Sequence, residues 1–132
     1  MSKYYKEIRE KFRQDVRDGN CYCILSGLQI TNLKDLSLEH YCPICRVSYD
    51  IAKQYDNLFP AIKVINHLKS GLLPCEWHAQ RQNLLSQAIR KAHNNRDRKI
   101  FIDALQNTNF YKINPCTYCV LYETCHLSTK TY

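Results

Sequence analysis

A short run of polar residues in this chain has the types and the order that hydrolysis of a phosphate ester requires. Glu39 and His40 stand side by side at the end of an alternating apolar stretch; Asn57 follows seventeen positions after His40, and Asn66 nine positions after that. Lys69 and Ser70 come about one helical turn beyond Asn66. Cutting a phosphodiester needs a base to take a proton from water, a cation against the phosphate charge, and stabilisation of the leaving oxygen. Histidine suits the base because its ordinary pKa lies near neutrality. A hard divalent cation prefers oxygen ligands and needs only one or two from the protein. One carboxylate and one asparagine amide oxygen meet that need. Each residue also has a plainer role. An adjacent Glu-His pair is common, Asn57 suits a helix N-cap in its Asp-Asn-Leu context, and Asn66 can bond locally on an apolar helix. The joint order and spacing favour the chemical reading.

The segments Glu39-His40-Tyr41-Cys42-Pro43, Asp56-Asn57-Leu58 and Asn66-His67-Leu68-Lys69-Ser70 together resemble the ββα-metal site of the HNH endonucleases. The resemblance covers residues 21–71, about two-fifths of the chain. It implies an α+β fold: a ββα-metal (HNH) core with flanking helices and zinc-bound irregular segments. It implies that His40 is the general base, that Glu39 and Asn66 hold a catalytic Mg²⁺ or Mn²⁺, and that Asn57 ties the loop and orients His40. Lys69 is implied as a phosphate contact, and His67 is an alternative to Asn66 as the third signature residue. The implied activity is that of a restriction- or homing-type enzyme on double-stranded DNA, with a homodimer as a simple way to cut both strands. Two departures stand out. Glu39 occupies a position usually held by aspartate, and one extra methylene moves its carboxylate by about a bond length. Many HNH enzymes carry a Cys-x-x-Cys before the helix asparagine, where this chain has Ile62 and Ile65.

The elements that must position these residues are expected as follows. Tyr5, Ile8, Phe12 and Val16 recur at helical spacing over residues 3–17, with Lys6, Arg9, Arg13 and Arg17 off that stripe, and Asp18-Gly19-Asn20 stops the helix. Residues 22–41 read as a β-hairpin, with Leu36, Leu38 and His40 on one parity and Asn32 and Asp35 as turn formers. A loop over 42–56 is expected to contain a short helix near Ser48 to Tyr55. Leu58 to Leu68 reads as a helix whose Ile62, Ile65 and Leu68 face the core, closed by Ser70-Gly71. Further helices are expected over about 76–93, with Trp77 as a core anchor, and from there to about 106 after Asn94-Asn95. The chain is expected to form one domain: an N-terminal helix (1–20), the HNH-like core (21–71), a helical segment (72–107) and a Cys-rich tail (108–132).

Composition limits the partners. Of 132 residues, 19 are Lys or Arg and 12 are acidic, so the net charge of +7 favours a polyanion. Arg81, Arg90, Lys91, Arg96 and Arg98, with Lys69, are the expected DNA contacts. Tyr41, Tyr49 and Tyr55, among ten tyrosines, are candidates to stack on bases. No apolar run is long enough to span a membrane. Met1 to Asn20 is charged throughout and lacks an apolar signal core, so a cytoplasmic, reducing setting is expected. In that setting the eight cysteines read as zinc ligands before disulfides. Cys75, Cys116, Cys119 and Cys125 form the expected structural zinc site, with His78 or His126 able to replace one cysteine. Cys21, Cys23, Cys42 and Cys45 form a possible second site, against which small buried cysteines are the alternative. The rival function is a non-catalytic zinc module that binds nucleic acid. A redox or metal-carrier protein is a third reading, and it leaves the Asn57–Asn66 pattern without a use.

Overall fold

The structure, a computed structural model, describes residues 3–112 and 114–121. Helix α1, Lys3–Arg17, buries Ile8, Phe12 and Val16 along the stripe its sequence predicts. Gly19 closes it with a left-handed φ of 74°, which a side chain would resist.

The expected hairpin over 22–41 is corrected. Residues 21–31 form a compact loop with one isolated bridge, Tyr22 to Gln29, held by Cys23 N–H to the Leu28 carbonyl and Ile30 N–H to the Cys21 carbonyl, both 2.8 Å. The single sheet among the described residues pairs β1, Leu36–His40, antiparallel with β2, Leu58–Ile62. Its register sets Leu38 opposite Pro60, Glu39 opposite Phe59 and His40 opposite Leu58. The segment read as the start of a helix is therefore a strand. Pro60 explains why: its ring biases Phe59 away from helical backbone. In a two-stranded sheet both strands are edges, so the proline is tolerated, and its carbonyl accepts the Ile24 N–H at 3.0 Å.

Between the strands lie the short helix α2, Tyr49–Ala52, capped by the Ser48 side chain, and a 3₁₀ turn at Tyr55–Asn57. Helix α3, Lys63–Lys69, follows β2 directly. One face of the sheet, Leu36, Leu38 and Leu58, packs on Ile8 and Phe12 of α1. On the other side Phe59 and Ala61 join Ile65 of α3 in the main core.

Helix α4, Pro74–Lys91, opens with a proline in its first turn, and Glu76 accepts the Leu73 N–H at 2.8 Å. Asn94 caps helix α5, Asn95–Gln106, which packs back on α4. Trp77 anchors the core as expected, donating its indole N–H to the Leu25 carbonyl at 2.9 Å. The tail begins with 3₁₀ turns at Thr108–Lys112 and Pro115–Tyr118. Among the described residues five helices and a two-stranded sheet make the fold α+β. No helix among the described residues is long and apolar enough to cross a membrane.

Candidate functional site

Alternation along β1 turns Ser37 and Glu39 toward α3. Strand neighbours two apart are spaced about 7 Å, and helix residues three apart rise about 4.5 Å, so two strand side chains can meet two helix side chains one turn apart. Asn66 donates its amide N–H to Ser37 Oγ at 3.0 Å, and Ser37 Oγ donates to the Ala61 carbonyl at 2.9 Å. Lys69 Nζ lies 3.5 Å from Glu39 Oε2 and donates to the Tyr41 carbonyl at 3.0 Å. Glu39 is 4% exposed and Lys69 0%. Burial outweighs the Lys69 charge and pushes the Glu39 carboxyl up to about 7. Burial likewise lowers the Lys69 ammonium, against the opposing pull of Glu39.

His40 turns the other way, toward α1, where its ring meets the Tyr5 ring edge-on at 6.0 Å. Its Nε2 is buried and has no hydrogen-bond partner. Burial first, then the charges of Arg9 and Lys69, lowers its pKa below the ordinary histidine value. The imidazole is thus held neutral at neutral pH, the state a general base needs. Glu39 and His40 are adjacent in sequence but leave the strand on opposite faces.

Asn57 is fully buried and clamps the loop between the strands. Its Oδ1 accepts the Cys42 N–H at 2.8 Å, and its Nδ2 donates to the Cys42 carbonyl at 3.0 Å and the Ala52 carbonyl at 2.7 Å. Its backbone carbonyl accepts the Tyr41 N–H at 2.9 Å. These bonds fix the backbone just after His40 without touching the imidazole. Asn57→Ala strands three buried backbone groups and is expected to cost about 3 kcal/mol in urea denaturation; a loss below about 1 kcal/mol would deny the clamp its importance.

Two grooves flank this ladder. One, about 440 Å³, is lined by Ser37, Lys63, Asn66, His67 and Ser70. The other, about 390 Å³, is lined by Arg9, Phe12, Arg13, Leu33, Leu36, Ser37, Leu38 and Lys63. They share Ser37 and Lys63, so the two grooves adjoin between α1 and the start of α3. Nothing in the residue pattern singled out Lys63. Its only signal was its place three residues before Asn66, on the same helical face.

The expected phosphate contacts divide. Lys69 and Arg81 are corrected: both are 0% exposed and present no charge to a polyanion. Arg81 packs its guanidinium over the Phe110 ring at 4.6 Å and points toward the Leu25 carbonyl. Arg98 binds the end of α4 through the Ile89 and Ala92 carbonyls at 3.3 and 3.1 Å, and Arg96 pairs with Asp35. Arg90 and Lys91 are exposed. Of the candidate stacking tyrosines, Tyr41 is corrected, because it is buried; Tyr49 and Tyr55 are exposed.

The cysteines also group differently from expectation. Among the described residues no three His, Cys, Asp or Glu side chains gather to hold an ion, so Cys21, Cys23, Cys42 and Cys45 are not assembled as a site, and Cys75, Cys116 and Cys119 do not gather. Cys125 and His126 lie outside the described residues. Cys21 and Cys23 belong to the core, and Cys23 Sγ accepts the Ile62 N–H at 3.3 Å. Burial pushes the Cys21 thiol up to about 11 and raises Cys23 as well. Cys42 instead meets Cys119 of the tail, with the sulfurs 3.6 Å apart. The hydrogen bond between them raises Cys42 and lowers Cys119 to about 6.

Comparison of the chain with protein-family models, with curated proteins and with solved structures finds no match.

Proposed function

We propose that this protein is a divalent-metal-dependent endonuclease of the ββα-metal (HNH) type acting on double-stranded DNA. The observation that carries the proposal is the order strand, loop, strand, helix: Glu39-His40 ends β1, Asn57 clamps the loop, and Asn66 faces β1 from α3. The donor types fit a hard cation. Glu39 Oε2 is a buried carboxylate oxygen that accepts no hydrogen bond among the described residues and faces the Lys69 ammonium at 3.5 Å. Asn66 spends its amide N–H on Ser37, which leaves its oxygen as the ligand atom. Mg²⁺ or Mn²⁺ held by Glu39 and Asn66 would supply charge neutralisation at the scissile phosphate and leaving oxygen. His40, neutral and with a bare Nε2, takes the proton from the attacking water. Arg9, Arg13 and Lys63 line the groove that receives the phosphate backbone. A restriction or homing role and a homodimer that cuts both strands extend the same proposal.

The Glu39–Lys69 pair favours one rival. An ammonium already stands against the carboxylate that a metal would use. If it cannot be displaced, the chain is a nucleic-acid-binding module without cleavage, and His40 is dispensable.

A pH profile separates the two. A cation binds ionised Glu39, whose carboxyl titrates at about 7, while His40 is already neutral there. At subsaturating Mg²⁺, cleavage is expected to rise about tenfold per pH unit up to about 7 and then level. Glu39→Gln is expected to remove both the activity and the profile. A flat profile, with Glu39→Gln as active as wild type, would remove Glu39 from the site; absent cleavage with retained, salt-sensitive DNA binding would favour the module.

A further inference from the structure

We propose that Cys42, Cys45, Cys116 and Cys119 bind one zinc ion that staples the tail to the loop following His40. The proposal does not depend on catalysis.

The Cys42 and Cys119 sulfurs are 3.6 Å apart across 77 residues of chain. A disulfide would need about 2.05 Å. In a tetrahedral zinc site with bonds of about 2.3 Å, neighbouring sulfurs stand about 3.8 Å apart. Two of the four corners are therefore already at metal-bridging separation.

The other two thiols belong to the same two turns. Cys42-Pro43-Ile44-Cys45 enters a turn closed by the Arg46 N–H on the Pro43 carbonyl at 2.9 Å. Cys116-Thr117-Tyr118-Cys119 is itself a turn, closed by the Cys119 N–H on the Cys116 carbonyl at 3.3 Å. A Cys-x-x-Cys across a tight turn is the form in which one segment offers two thiolates to one ion. Among the described residues the four thiols do not converge; Cys45 is exposed, its sulfur bonded to the Gly71 carbonyl at 4.0 Å, and the ion would draw it from there by a change of side-chain rotamer.

The two turns are docked by more than sulfur. The Tyr41 hydroxyl donates to the Pro115 carbonyl at 3.4 Å, and Tyr118 stacks edge-on against Phe59 at 5.9 Å. Cys116 and Cys119 are thus held against the segment that carries Cys42. The tail needs such a fastening, since no residue from Asn114 to Leu121 is fully buried. A zinc ion there would also tie the tail to the Asn57-clamped loop.

The test is metal analysis of the full chain, purified under reducing conditions and titrated with Zn²⁺ or Co²⁺, followed by cysteine-alkylation mapping. One metal per chain is expected, with the visible spectrum of a Co²⁺ tetrathiolate. Metal is expected to protect Cys42, Cys45, Cys116 and Cys119 from alkylation and to leave Cys75 and Cys125 reactive. Mapping uses the wild-type chain, so it holds even if Cys42→Ser or Cys119→Ser fails to fold. Where those variants fold, they lose the metal, while Cys21→Ser and Cys23→Ser keep it. No metal binding by the reduced chain would overturn the proposal. So would protection of Cys75 or Cys125 in place of Cys45, or a Cys42–Cys119 disulfide in the reduced preparation.

Discussion

His40→Ala is expected to lower the rate of metal-dependent DNA cleavage by about 10²- to 10⁴-fold, the usual loss when a positioned general base is removed. The expectation rests on the state of the imidazole. Burial and the neighbouring Arg9 and Lys69 charges hold it neutral, and its Nε2 has no hydrogen-bond partner among the described residues. Because His40 leaves the strand on the face opposite Glu39, its loss should leave the affinity for Mn²⁺ and for DNA nearly unchanged. Single-turnover nicking, with DNA binding measured in parallel, separates the two effects. A rate within a few-fold of wild type would assign His40 to packing against Tyr5.

The largest expected effect on stability lies one turn beyond the metal-ligand candidate. Lys69→Ala removes a fully buried ammonium from Glu39 and from the Tyr41 carbonyl. Breaking one side of a buried ion pair costs about 3–5 kcal/mol, because the other charge is left without compensation. Replacing both members, as in Glu39→Gln with Lys69→Met, should cost less than the two single losses added together. The pH dependence has a definite sign. Glu39 titrates higher in the fold than in the unfolded chain. The stability of its neutral form is present below the ordinary carboxyl range and is lost as pH rises through about 7. The Lys69→Ala penalty should therefore be smaller below that pH, where Glu39 takes a proton, and larger above it. Urea denaturation of wild type, Lys69→Ala, Lys69→Met, Glu39→Gln and the double variant on either side of neutrality reads both effects. Equal penalties at both pH values would contradict a buried charged pair.

Much of the helical frame was legible from residue pattern. The Ile8-Phe12-Val16 stripe and the Gly19 stop gave α1, and Asn94-Asn95 gave the break before α5. The β2 strand was not read correctly, because Leu58, Ile62 and Ile65 also match a helical stripe in so short a window. Pro60 was the signal that should have decided it, since its restriction of Phe59 argues against helix there. The partner of β1 was misplaced for the same reason. Asn57 was singled out for a loop-tying role, and its three side-chain bonds to the loop backbone fit that role. Lys69 and Arg81 were placed on the surface because lysine and arginine are rarely buried unless paired. Only the fold shows that Glu39 and Phe110 wait for them. The cysteine grouping was beyond spacing alone, because Cys42 and Cys119 are neighbours only once the tail folds back on Tyr41.

The measurement that bears most directly on the central claim is conversion of supercoiled plasmid by the purified wild-type chain, with Mg²⁺ or Mn²⁺ and with EDTA. The ββα-metal assignment predicts nicked or linear product with the divalent ion and none with the chelator. Intact plasmid under every divalent ion, from a chain that is folded and still binds DNA, would contradict it and leave the Glu39–Lys69 pair as a structural bridge.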